Sequence, residues 1–319
     1  MIRTRSLTRT FRTDHGTVEA VRGIDLDVAE GEAVALLGPN GAGKSTTLRM
    51  LTTLLPLTRG TATVAGHDVA RDPVAVRRRI GSIGQGNGSF DGLRVLEELT
   101  AQARLYGLPR RAARRRGEEL VAELELTGLA DRDVATLSGG QRRRLDLAMG
   151  LVHRPPVVFL DEPSSGLDPH SRAHLWAHVA RMRAEQGTTV VLTTHYLDEA
   201  DTAADRVVVV DHGEIIADGT PDQLKGKVSG DLVTVELADA ADAPTASGVA
   251  ARLPGAQDVE PAGDVVRFRI AGGDTVTPQV VRAMDAAGVR LRGTRVQRPT
   301  LDDVFLTLTG RSLRDGAAA

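Results

Sequence analysis

The sequence contains no cysteine, which excludes disulfides, thiolate metal sites and cysteine nucleophiles together. Lysine is nearly absent too: of 40 basic residues only Lys44, Lys225 and Lys227 are lysines. Arginine is a planar fork and lysine a compact point charge. A chain that otherwise chooses arginine but keeps lysine at position 44 points to a steric demand there. No apolar run approaches the roughly 18–20 residues that cross a bilayer. The stretch MIRTRSLTRTF carries basic residues with no apolar segment behind them, and does not read as a secretory signal. The formal net charge is −2, so bulk charge offers no argument for nucleic acid, and no nucleic-acid partner is expected. The expectation is a cytoplasmic protein. If it works at a membrane, another chain supplies the spans.

What is present is an alternation of elements. The 319 residues suffice for one large domain and a smaller one. EAVALLG (Glu32–Gly38) is a short apolar run ending in glycine, which predicts a buried parallel strand, and KSTTLRMLTTLL (Lys44–Leu55) follows with helical spacing. Further strands are predicted at Val157–Pro163, Thr188–His195 and Arg206–Gly213. Pro169–Gly187 reads as a helix, with proline at its start and glycine at its end. The alternation implies an α/β domain with a mostly parallel sheet. Val95–Leu129 is almost all helix formers and reads as part of a helical insertion over about 86–153. Its arginine cluster, Leu108–Leu120, reads as a solvated helix face, with contact to anionic lipid headgroups as the functional alternative.

After Lys227 the composition changes. ADAADAPTASG (Ala238–Gly248) reads as a loop or linker. A strand (264–270), a helix (277–288), a strand (289–297) and a last helix (300–310) then make a small α+β module. The expected domains are therefore 1–227 and 228–319.

Four places carry chemistry. Gly38-Pro39-Asn40-Gly41-Ala42-Gly43-Lys44-Ser45, with Thr46 behind it, fits G-x-x-x-x-G-K-[ST] in full. Its glycines let successive N–H groups turn toward a phosphate, Lys44 can reach the β- and γ-phosphates, and the Ser45 hydroxyl is a hard ligand for Mg²⁺. Asp161 and Glu162 end an apolar strand. A carboxylate there suits a Mg²⁺ partner, and its neighbour can orient or deprotonate water. His195 ends another strand of the same set, which favours a γ-phosphate contact over the structural role usual for a lone histidine. Leu137–Asp146, LSGGQRRRLD, is a puzzle: Ser138, Gly139, Gly140 and Gln141 open a helix as a second phosphate cradle, although one nucleotide needs only one.

These motifs together resemble the nucleotide-binding subunits of ATP-binding cassette (ABC) transporters, over about Leu7–Leu224. GPNGAGKST is similar to the Walker A loop and VVFLDEP to Walker B. LSGGQ is similar to the family signature, SGLD (Ser165–Asp168) to the D-loop, Gln85 to the Q-loop glutamine and His195 to the switch histidine. The resemblance implies a P-loop NTPase fold with an N-terminal β-subdomain and a helical subdomain. It implies ATP and Mg²⁺, with the metal at Ser45, Gln85 and Asp161, and Glu162 and His195 catalytic. Phe11 would stack on adenine and Asp168 would contact nucleotide. It also answers the puzzle, because in this family two subunits pack head to tail and each signature covers the ATP of the other. A second nucleotide-binding subunit is thus implied.

SGGQRRRLDLA and RPTLDDVFLTLTGR are similar to the daunorubicin-resistance type, which serves exporters whose membrane permease is a separate chain. That places the protein at the cytoplasmic face of the membrane, energising export of a drug, antibiotic or lipid-like compound. Arg94 and Glu98 depart from the family pattern, in a segment that in the family faces the permease. The rival readings are a soluble ABC ATPase of translation or DNA repair, and a plain P-loop kinase. The first commonly carries two cassettes or a coiled coil, and the second leaves LSGGQ unexplained.

Overall fold

The computed structural model describes residues 1–310 apart from His15, Asn87 and Ser229. The end of the second expected domain, residues 311–319, lies outside the described residues. The chain forms two compact units, Met1–Pro221 and a second that begins at Asp222.

The first unit holds two sheets. Strands β1 (Ile2–Thr13), β2 (Gly16–Val28), β4 (Arg59–Val64) and β5 (His67–Asp68) form an antiparallel sheet in the order β2-β1-β4-β5. Strands β3 (Ala33–Leu37), β6 (Ile80–Ile83), β7 (Val157–Asp161), β8 (Thr189–Thr194), β9 (Arg206–Asp211) and β10 (Glu214–Gly219) form the second, in the order β10-β9-β3-β8-β7-β6. Every pairing in the second sheet is parallel except β9–β10. All residues of β3, β7 and β8 are buried. That is why their sequences are continuous rather than alternating: a parallel sheet is covered on both faces. Ile24, Leu26, Leu36, Leu51, Phe159 and Val208 belong to one core cluster that spans both sheets.

Helices α1 (Lys44–Leu51), α2 (Pro73–Arg79), α3 (Val95–Leu105), α4 (Arg110–Glu123), α5 (Gly139–Leu151), α6 (Pro169–Gln186) and α7 (Leu197–Ala203) complete this unit. Helix α1 stops at Leu51, short of the predicted Leu55. Thr53 turns to φ +63, and the N–H groups of Leu54 and Leu55 both return to the Arg49 carbonyl. Helix α6 starts on an Asp168 cap followed by proline and ends on Gly187 at φ +64. Between β6 and β7 the chain makes α3, α4, α5 and short 3-10 turns. The arginine cluster of α4 divides. Arg114 and Arg115 face solvent and pair with Glu118 and Glu119. Arg116 turns inward and donates to the carbonyls of Leu151 and Val152 at the end of α5, where a cation meets the negative end of a helix.

Helix α8 (Pro221–Lys225) starts on the last residue of the first unit, and the second unit continues through β11 (Asp231–Leu237), α9 (Ala243–Ala250), β12 (Gln257–Ala262), β13 (Val265–Ile270), α10 (Gly273–Ala286), β14 (Leu291–Gln297) and α11 (Leu301–Thr309). Its antiparallel sheet has the order β12-β13-β11-β14, the ferredoxin-like β-α-β-β-α-β arrangement. The predicted loop or linker at Ala238–Gly248 is instead a 3-10 turn and a helix. Asp239 caps a 3-10 turn, Pro244 opens α9, and Ala243, Ala246, Val249 and Ala250 are buried in the module's core. The segment's alanine, proline, serine and glycine content hid an ordinary helical period. β11 and β12 were likewise unanticipated. β12 carries Pro261 at a sheet edge, where a missing N–H is tolerated.

Candidate functional site

In an open parallel sheet the strands' carboxyl ends form the ligand edge. Register brings three such ends together: Leu37 pairs with Thr194, and Asp161 with Thr193. The loop Gly38–Gly43 leaves this edge and feeds α1. Two of its glycines are sterically required. A Cβ on Gly38 would lie 2.1 Å from the Val210 carbonyl, and one on Gly43, at φ +102, 2.4 Å from the Ala20 carbonyl. The loop and the first turn of α1 bound a cavity of about 370 Å³, lined by residues 40–46 with Ala20, Gln85 and Glu162. The first backbone N–H groups of a helix have no partner within it and attract anions.

Lys44 is buried and folds back over its own loop, donating to the carbonyls of Gly38 at 2.7 Å and Pro39 at 2.9 Å. Burial pushes its pKa down, and the nearby Glu162 and Asp161 carboxylates oppose that. Asp161 is also buried. Its Oδ1 accepts from Ser45 Oγ at 2.7 Å and from Thr193 Oγ1 at 2.7 Å. Gln85 Nε2 donates to the same Ser45 oxygen at 3.4 Å. The carboxylate and hydroxyl oxygens meeting in this way suit a hard cation such as Mg²⁺, while Gln85 turns its amide nitrogen toward them. Glu162 follows at φ +47, its N–H held by Thr193. Its Oε2 accepts from Ser165 Oγ at 3.2 Å and lies 3.5 Å from His195 Nδ1, a buried nitrogen with no hydrogen-bond partner.

Other predicted site residues stand outside this cavity. Ser138 caps α5: its Oγ accepts the Gln141 N–H at 3.3 Å, and the Gln141 side chain accepts the Ser138 N–H. Ser138, Gly139, Gly140 and Gln141 do not line the cavity. Asp168 caps α6, and its bonds from Ser171 hold its carboxyl below the usual range. Phe11 is half-buried on β1, beneath the Arg9 guanidinium at 4.6 Å from the ring centroid. The departing Glu98 is buried and accepts the Phe90 N–H, while Arg94 caps α3 through Glu97.

Sequence reasoning passed over three residues at this site. Ala20 lines the cavity from β2. Thr193 orients Asp161 and Glu162 together, and its signal was a polar residue in a fully buried strand. Arg143 is buried behind the end of β7; in QRRRLDLA it is one arginine among three, with nothing to mark it.

Fold and cavity define a phosphate-loop nucleotide-binding module of the ABC class. Residues 21–165 match the ABC transporter family, and residues 219–309 match the ATP-binding protein DrrA1-3-like, C-terminal domain. The chain is 47% identical over 300 residues to the daunorubicin resistance ATP-binding protein DrrA2 of Streptomyces coeruleorubidus, covering 93% of this chain and 92% of that one. It is 34% identical to the linearmycin resistance ATP-binding protein LnrL of Bacillus subtilis, covering 94% and 97%. A solved dimer of the ATP-binding cassette MJ0796 with ADP and Pi superposes with a TM-score of 0.65 at 26% identity, over 69% of this chain and 98% of that one. The chain belongs to the ATP-binding subunits of ABC transporters, in the daunorubicin-resistance group. It is an ATPase that energises transport, and no helix among its described residues is long and apolar enough to cross a membrane.

Proposed function

We propose that this chain drives an exporter of amphipathic antibiotics through a separate membrane permease, working as a homodimer at the cytoplasmic membrane face. ATP enters the cavity above α1, with its β- and γ-phosphates on the loop N–H groups and Lys44. Ser45 and Asp161, with Gln85 beside them, would hold Mg²⁺, which would supply charge neutralisation at the phosphates. Phe11 takes the adenine. Glu162 orients the attacking water, and His195 contacts the γ-phosphate. Domain 1–227 acts as the ATPase, with residues 86–153 as its helical part, and 228–319 as an accessory domain.

The observation that carries the dimer is the separation of the two cradles. Ser138 opens α5 as an exposed capped N-terminus, yet no residue of 138–141 borders the cavity that holds Lys44 and Glu162. An exposed helix start with small residues and no nucleotide of its own fits the ATP of a second copy. Asp168 would then face the same junction. Exposed Phe90, Leu105 and Tyr106 lie in and beyond the segment that would meet the permease.

The test is co-expression with a candidate membrane permease of the daunorubicin-resistance type. Cells should accumulate less anthracycline with the wild-type chain than with Glu162→Gln, and the chain should fractionate with membranes. Equal accumulation together with sedimentation on ribosomes would point to a soluble factor instead.

A further inference from the structure

Glu162 adopts a backbone conformation that disfavours any residue with a Cβ, at φ +47. Neighbours must hold it there. On the amide side its N–H donates to Thr193 O at 3.2 Å and Thr193 Oγ1 at 3.0 Å. On the carbonyl side its oxygen accepts from Ser165 N–H at 3.2 Å and from Arg143 Nη2 at 3.3 Å. The Arg143 guanidinium makes four bonds, all to main-chain carbonyls: Nε to Pro163, Nη2 to Asp161 and Glu162, and Nη1 to Gly84. Three of these carbonyls are consecutive, and the fourth precedes Gln85. A planar fork with donors on three nitrogens can span them, whereas an ammonium donates from one point.

We infer that Arg143 is a positioning residue for ATP hydrolysis: it clamps the Asp161–Pro163 backbone to Gly84 and so keeps the Glu162 carboxylate aimed at the attacking water. This rests on the proposed role of Glu162. Arg143 lies on α5, whose cap is Ser138. Two more residues of that helix grip the segment after Gln85. Asp146 Oδ1 accepts the N–H groups of Gly88 at 3.1 Å and Ser89 at 3.0 Å, and Arg142 Nε donates to Ser89 Oγ at 3.2 Å. Any displacement of α5 therefore reaches Glu162 through Arg143.

The experiment compares Arg143→Gln, Arg143→Lys and the neighbouring Arg144→Gln, a half-buried arginine whose partner is Glu125 and not the end of β7, in the full chain. ATP affinity is measured by titration, and kcat and KM by phosphate release. Both Arg143 variants should lose roughly 10–100-fold in kcat, the scale of lost charged hydrogen bonds, while ATP affinity stays within about 3-fold. Arg144→Gln should match wild type. A double-mutant cycle then isolates the route. In a Glu162→Gln background, single-turnover hydrolysis should change by no more than about 2-fold on adding Arg143→Gln, because the group it positions is already gone. Unchanged kcat, or affinity falling as far as kcat, overturns the inference, as does a further ~10-fold loss in the Glu162→Gln background. If Arg143→Gln does not fold, Arg143→Lys carries the comparison; if neither folds, the role is structural and the inference fails. Normal turnover by Glu162→Gln alone would instead remove the assignment of Glu162, a separate failure.

Discussion

Replacing Ser138 with arginine tests whether the signature serves its own nucleotide or a partner's. In the isolated chain the substitution removes one helix cap, the Ser138 Oγ that accepts the Gln141 N–H. That costs about 1 kcal/mol, or a Tm decrease of about 2–4 °C in a unit of this size. Helix α5 keeps its other anchors through Arg142, Arg143 and Asp146, so the variant should fold. Because Ser138 does not border the cavity around Lys44, it should also bind ATP with wild-type affinity. Lys44→Ala is the complementary variant, with its phosphate loop disabled and its signature intact. Each protein alone should fail to form an ATP-closed dimer. In a mixture, about half of all dimers are mixed, and each mixed dimer joins one intact phosphate loop to one intact signature, so roughly a quarter of all sites recover by two-fold symmetry. Two different affinity tags isolate the mixed dimers, and ATP-dependent closure is read by size exclusion or by a distance probe. The control pairs wild type with a chain carrying both substitutions, whose mixed dimers hold no complete site. If the isolated mixed dimers close no more than that control, the signature does not act across the interface.

Glu162→Gln should bind ATP normally and hydrolyse it about 10²–10⁴-fold more slowly, the range for losing a general base; phosphate release under saturating ATP measures this, and a normal rate would show that another group positions the water. Thr193→Val keeps the volume of the side chain but strips Asp161 Oδ1 and the Glu162 N–H of their shared hydroxyl. It should destabilise the first unit by about 1–3 kcal/mol, measured by urea unfolding, and slow turnover as well; unchanged values for both would mean that the hydroxyl orients nothing. Burial holds His153 neutral, with its pKa pushed from 6.5 down to about 4. Its unfolded form takes up a proton below about 6.5 that the folded form refuses until about 4, so acidification through that window favours unfolding. A His153→Phe chain, compared by thermal melts across this range, should lose less stability than wild type. Parallel pH profiles would show that His153 is not responsible.

The parts of the site that could be read in advance each carry a short local signal. The strand, the glycine loop and the start of α1 lie within residues 33–51, and their geometry follows from local backbone preference and from the need for buried strands to be apolar. The carboxylates at 161 and 162 and the histidine at 195 announced themselves as charges at the ends of apolar runs. In the second unit, α10 and α11 were visible by period. Helix α9 was not, because alanine, proline and serine suit loops as readily as helices until a sheet stands ready to cover one face.

By itself the sequence determined that a phosphate loop exists, that acidic residues close a neighbouring strand, and that Ser138 and two glycines open a helix. Each is a short-range property, set by residues within one turn or one strand of each other. Only the tertiary structure decided which distant groups complete the first site. Thr193 meets Asp161 because parallel β7 and β8 align them in register. Arg143 reaches Gly84 and the end of β7 because α5 lies behind both. A buried guanidinium that binds carbonyls and a solvated one are the same letter in a sequence; what separates them is the burial that the packed fold imposes, and with it the need for every donor to find an acceptor.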